Sequence, residues 1–240
     1  MTTHDVIKPD LKHWDFAKRE RGLFEKAPVQ LPTWRLANFS RKTLASVAEQ
    51  LSERIPQQPR GLVDDLEPKR AAQLASIGLA AIVVRNIGGI LTLVGCGYER
   101  ESLALGRVNA EAHIRGRQIV DDASGDVARR LLKGRRPGSI NAAATRYGSD
   151  EDIKFLNRFA HADLLSLRPV SVMRENEIDF DIQLLPQRGA VAPATQLLEA
   201  GRQGPAFASV LAEIFEVGFE VPRYVDEQLR YYREHSLDGV

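Results

Sequence analysis

Arginine dominates the chemistry available to this chain. Arg115, Arg117, Arg129, Arg130, Lys133, Arg135, Arg136 and Arg146 stand close together in sequence. With Asp121, Asp122 and Asp126 among them, the segment carries a formal +5 in a protein whose net charge is +1. Seven of these eight cations are guanidinium groups, which make forked hydrogen bonds to phosphate oxygens where an ammonium acts as a point charge. The turn Lys133–Ser139 adds backbone N–H groups at Gly134, Gly138 and Ser139. This is the chemistry of contact with the phosphates of DNA or RNA, without base specificity. A solvated face, or pairing with the acidic remainder of the chain, uses the same residues. Tyr147 is the only ring nearby, so stacking on unpaired bases has little support.

Other reactive residues form no pattern. Cys96 is the single cysteine. A nucleophilic role just before a helix N-terminus needs a base such as His113 or His161, and no spacing ties them together. A lone Cys beside an apolar run is more simply a small packed residue. The histidines His4, His13, His113, His161 and His235 include no pair three or four apart, so no metal site is assigned. Asp179 and Asp181 alternate with apolar residues, as on the wet face of a strand. Asp64–Asp65 and Asp121–Asp122 are adjacent pairs whose members point apart. Gly95-Cys96-Gly97 can receive an anion before a helix, but Arg100 stands where a dinucleotide fingerprint needs its third glycine. No catalytic residue and no cofactor is assigned.

Positioning these groups requires a core, and the chain has the means to build one. It has 240 residues, 43% hydrophobic and 27% charged, which excludes wholesale disorder. One cysteine excludes an internal disulfide framework. The expected address is cytoplasmic: the first residues lack the apolar core of a signal peptide. The longest apolar runs, Leu79–Val84 and Ile90–Val94, fall short of a membrane span, so no membrane partner is expected.

Residues 1–38 read as an N-terminal arm broken by Pro28 and Pro32, and residues 39–240 as one globular domain, with a candidate subdivision near 148. Leu44, Val47, Ala48, Leu51 and Ile55 share one helical face, giving a helix from Ser40 to Ile55. A short helix is expected over Glu67–Ile77, closed by Gly78. Leu79–Arg85 and Ile90–Gly95 then read as a buried hairpin turning at Asn86–Gly89. Helices follow from Glu99, after Ser124 and from Ser149, and a second hairpin pairs Val170–Met173 with Ile178–Leu184. The last third is helical over Thr195–Ala200, Pro205–Val217 and Pro222–Glu234. The fold expected is α+β: a small, mainly antiparallel sheet with two hairpins, helices packed on it, and a helical C-terminal third.

One stretch follows a known order. Gln58-Pro59-Arg60, a helix ending Leu74-Ala75-Ser76-Ile77, a strand Ile82-Val83-Val84-Arg85, a strand Leu91–Val94, then Gly95 and a helix ending at Gly106 resembles the N-terminal domain of ParB-like proteins. The resemblance covers about 50 of the 240 residues and implies a nucleotide-binding domain. It departs at the motif that bears the chemistry: the family's Glu-Arg-Arg after the glycine is Cys96-Gly97-Tyr98 here, with Glu99-Arg100 three residues late.

Three functions are therefore open on sequence. The first is a non-enzymatic binding or assembly subunit that contacts nucleic-acid phosphates through the arginine-rich region. The second is a degenerate ParB-like nucleotide-binding domain. The third is a structural subunit that meets other proteins through its N-terminal arm or its C-terminal helix, which carries Tyr224, Leu229, Tyr231 and Tyr232.

Overall fold

A computed structural model describes residues 6–8, 31–56, 62–96, 98–148, 154, 171–174, 177–180 and 193–234. Among them the chain is overwhelmingly helical: seven α-helices and four strands of two to four residues. In chain order these are β1 (Val6–Ile7), α1 (Leu31–Ser52), a 3-10 turn (Val63–Asp65), α2 (Pro68–Gly95), α3 (Glu99–Asp121), α4 (Asp126–Leu132) and α5 (Ile140–Arg146). They are followed by β2 (Ser171–Arg174), β3 (Glu177–Phe180), α6 (Pro193–Ile214), β4 (Gly218–Phe219) and α7 (Arg223–Glu234).

The expected α+β fold, with its mainly antiparallel sheet, is overturned. The body is a bundle in which α1 packs on α6 and α2, and α2 packs also on α3 and α6. β1 pairs with β4 in parallel, Ile7 opposite Phe219. The only antiparallel pairing among the described residues joins β2 to β3, with Arg174 opposite Glu177, and no sheet grows from it.

The largest departure is α2. The first expected hairpin and the short helix before it are one continuous 28-residue helix. Pro68 starts it at a position where the missing N–H costs nothing. Ala80, Val83, Ile87, Ile90, Leu91 and Val94 are all buried, and their spacing is that of a helix apolar on several sides because several helices surround it. Asn86 does not turn the chain. It is buried and donates its Nδ2 to Asn109 Oδ1 at 3.0 Å. Gly88 and Gly89 admit neighbours closely: a Cβ at Gly88 would lie 2.8 Å from the Arg41 guanidinium, and one at Gly89 2.6 Å from a Leu105 methyl. With the turn gone, the apolar runs join. By length and composition α2 is long enough to cross a membrane, though 39% of its most apolar window is buried against the bundle.

Two proline boundaries also move. Pro32 opens α1 rather than breaking it, so Trp34, Leu36 and Ala37, within the expected arm, are buried. Pro205 lies inside α6, which runs unbroken where two helices were expected. There α6 presses on α1: the Cβ of any residue replacing Gly204 would overlap the Ser40 carbonyl, and one at Gly201 would meet Leu36 at 2.8 Å. The expected helix from Ser149, the rest of the arm over 9–30 and the Gln58–Arg60 motif lie outside the described residues. The expected ParB-like strands Ile82–Arg85 and Leu91–Val94 are both turns of α2, so the strand order behind that resemblance is absent.

The register of α3 on α6 positions the site described below. Ser102 bonds to Gln196, Asn109 to Gln203, and Gly116 lies under Val210. Each step advances seven residues on both helices, so α3 and α6 run parallel. α2 runs opposite, with Gly89 against Leu105 and Asn86 against Asn109.

Candidate functional site

Most of the eight basic residues of the arginine-rich segment are engaged by the chain itself. Arg115 is buried on α3. Its guanidinium donates to Gln118 Oε1 at 2.7 Å and to the Gly138 carbonyl at 3.0 Å, and lies 3.8 Å from Glu111. It thereby fixes the Lys133–Ser139 turn from beneath. Arg117 pairs with Glu213 at 2.6 Å, joining α3 to α6. Arg129 donates Nε and Nη2 to the Leu66 carbonyl, at 3.1 and 2.9 Å, and pairs with Asp126. Lys133 pairs with Asp64, holding the Asp64 carboxyl below its ordinary range chiefly by that hydrogen bond. Arg146 pairs with Asp121 at 2.9 Å, which also accepts the Tyr147 hydroxyl at 2.8 Å. Burial first, and that bond second, raise the Tyr147 hydroxyl above its usual range. Arg130, Arg135 and Arg136 are different: they are exposed on α4 and the following turn, with no side-chain bond or ion pair among the described residues.

A second feature is a cavity between helices. Between α3 and α6, floored by α2, runs a cleft of about 440 Å³, within the range of small-molecule sites. Val83 and Ile90 of α2 form its floor. Leu103, Gly106 and Ala110 of α3 face Ala200 and Ala206 of α6 across it, and His113 and Phe207 close one end. A Cβ at Gly106 would meet nothing within 4 Å, so the wall is hollowed there. His113 sets its ring edge-on to Phe207, centroids 6.2 Å apart. Burial, and then the neighbouring Arg117, lower its pKa, which favours the neutral imidazole.

Of the fully buried side-chain polar atoms on the described cleft residues, one lacks a partner. Asn109 accepts from Asn86 and donates its Nδ2 to Gln203 Oε1 at 2.7 Å. The Ser102 hydroxyl donates to Gln196 Oε1. The Nε2 of Gln196, a residue only 7% exposed, has no acceptor among the described residues. An amide donor left so costs on the order of 1–3 kcal/mol in desolvation. At the mouth, Arg202 lies 3.8 Å from Glu199.

The remaining sequence candidates are dispersed. Cys96 is exposed at the C-terminal end of α2. His113 is four turns along α3, engaged with the cleft. Of Asp179 and Asp181 only Asp179 is described, opposite Val172. The expected partner surface on α7 is largely used at home: Tyr224 stacks obliquely on Phe39 at 4.8 Å. Leu229 and Tyr232 cover the cluster of Leu36, Leu198 and Val225, while Tyr231 stays 53% exposed. Among the described residues no three metal-binding side chains gather.

Sequence reasoning missed Ser102, Asn109, Gln196 and Gln203. Their signal was a polar residue every seven positions on each of two helical stretches, legible only once the two are known to lie side by side. What the fold and this site define together is a helical bundle with an interhelical cleft. Comparison with protein-family models, with curated proteins and with solved structures found no match.

Proposed function

We propose that this protein is a binding protein whose receiving site is the cleft between α3 and α6, and whose ligand is a small, mainly apolar molecule. The observation that carries this is the cavity itself, about 440 Å³ and mainly apolar, with a small set of polar side chains on its wall. Apolar walls supply affinity by area, and a few inward polar groups fix orientation. The test uses Nile red, a neutral dye that brightens in apolar surroundings. Wild-type protein brightens the dye saturably, and Gly106→Leu, which extends a side chain into the hollow, removes the signal while leaving the helical circular dichroism unchanged. Equal brightening by both proteins would sink the assignment.

A second reading keeps the anion chemistry and narrows it. Arg130, Arg135 and Arg136 remain exposed and unpaired among the described residues, beside a turn anchored by Arg115, so the surface suits phosphate groups of DNA or RNA. Three contacts imply a log–log salt slope of roughly −3 on duplex DNA. Replacing all three by Glu should flatten it. A wild-type affinity insensitive to salt would exclude this reading.

A further inference from the structure

We propose that occupancy of the α3–α6 cleft is proton-linked: a neutral apolar ligand and a proton on His113 exclude one another, so the protein holds such a ligand at neutral pH and releases it in mild acid. The inference rests on the cleft being a binding site, as proposed above.

The ring stands where a ligand must meet it. His113 lines the cleft beside Phe207, at the end of the wall away from Ser102. It is only partly buried, so solvent entering the cleft reaches it. Among the described residues the imidazole makes no hydrogen bond, and its one ring contact is the edge-on approach to Phe207. Solvent in the cleft is therefore what hydrates an imidazolium there.

No carboxylate is placed to take over that task. The charged neighbour on α3 is Arg117, one turn on, which repels a second positive charge. Arg117 is paired with Glu213 of α6. Of the other residues lining the cleft only Arg202 and Glu199 are charged, and they face each other at the mouth. α2 contributes only the apolar Val83 and Ile90. Burial, and then Arg117, already hold the imidazole pKa below its ordinary value.

An apolar molecule that fills the cleft displaces the solvent and brings no counter-charge. A neutral imidazole tolerates that exchange; a cation stripped of water without a partner does not. The ligand thus lowers the His113 pKa further, and by reciprocity protonation weakens the ligand. Affinity is full above about pH 6.5, where the ring is neutral. It falls as pH drops through the pKa of the unoccupied protein, by up to about tenfold per pH unit for one proton. A ligand bearing a carboxylate would do the reverse, pairing with the imidazolium and binding more tightly in acid.

The experiment titrates Nile red, a neutral dye, into the full-length protein between about pH 5 and 8, with far-ultraviolet circular dichroism checking the fold at each pH. Wild-type affinity should be level at the alkaline end and fall toward acid. His113→Gln, whatever affinity it starts from, should give a level profile. A second readout needs no variant that binds. Proton resonances of the wild-type imidazole, assigned by their loss in His113→Gln, should titrate at lower pH with saturating dye than without it. A level wild-type profile, tighter binding in acid, a profile as steep in His113→Gln as in wild type, or a ring titration unmoved by dye would each overturn the linkage and leave the cleft as a site indifferent to His113. Absence of saturable brightening at the alkaline end would remove the underlying cleft reading instead.

Discussion

His113 is where burial and charge act on a single titratable group. Its ring abuts Phe207 and feels Arg117, and both its burial and that cation disfavour the imidazolium. Because folding lowers this pKa, the unfolded chain binds the proton more readily. The contribution to stability is therefore complete above about pH 6.5 and declines as pH falls below that value toward the folded pKa. Chemical denaturation at a series of pH values should show a positive slope of stability with pH in that window, and His113→Gln should flatten it. Asp122 behaves in the opposite range. Its burial raises the carboxyl, but hydrogen bonds from the Ser124 hydroxyl at 2.6 Å, the Val127 N–H at 2.7 Å and other backbone amides outweigh that and lower it. That stabilisation is present above about pH 4 and is lost as pH falls through the folded value. Asp122→Ala should cost about 1 kcal/mol at neutral pH, as removal of a helix cap does, with the difference shrinking in acid. An unchanged denaturation midpoint at pH 7 would count against this role.

At the scale of elements, glycine decides both contact and opening. Gly204 is where α6 touches the α1 backbone at Ser40. Gly204→Val should destabilise by about 1–3 kcal/mol, because a side chain forced into a packed contact displaces its neighbours. Gly106 has empty space around its Cβ position. Gly106→Ala should therefore stabilise the helix by up to about 1 kcal/mol, raising the melting temperature while narrowing the cleft and weakening the dye.

Helices read well where a single amphipathic stripe met ordinary boundaries. α3 begins at the expected Glu99, α4 follows the expected Ser124, and α7 ends at the expected Glu234. Legibility failed at α2, where an Ile-Val-Val run followed by Asn-Ile-Gly-Gly has the local chemistry of strand and turn. Only the neighbours Arg41, Leu105 and Asn109 make those same residues favourable in a helix. It failed again at Pro205, whose local signal is a break and whose context is a helix pinned by α1. The cleft was illegible for a related reason: its walls come from stretches 94 residues apart, as the bond between Ser102 and Gln196 records. The arginines were visible in sequence, but their partners, such as Glu213 for Arg117 and the Leu66 carbonyl for Arg129, were not.

For the whole molecule, the short helix α4 is tied to the approach to α2. Arg129 grips the Leu66 carbonyl, Lys133 pairs with Asp64, and a Cβ at Gly125, which has φ +75, would lie only 2.7 Å from the Pro68 Cα. That φ suits glycine, so Gly125→Val should be among the most destabilising single changes. Arg129→Gln should leave the bundle folded but loosen residues 62–66, seen as faster amide hydrogen exchange there than at α1 or α6. Equal protection in both proteins would remove the tie.

The seven-residue stepping of α3 along α6 has one more consequence. Apolar surfaces that repeat every heptad fit almost as well after sliding by a full repeat, so grease alone does not tell the two helices where to stop. The linked amides of Asn86, Asn109 and Gln203 break that degeneracy, since they meet on three helices at one alignment only, much as a single buried asparagine sets the alignment of a coiled coil. Exchanging all three for leucine should then yield a protein that melts higher yet gives broadened, multiple amide resonances, a bundle held more strongly and defined less well.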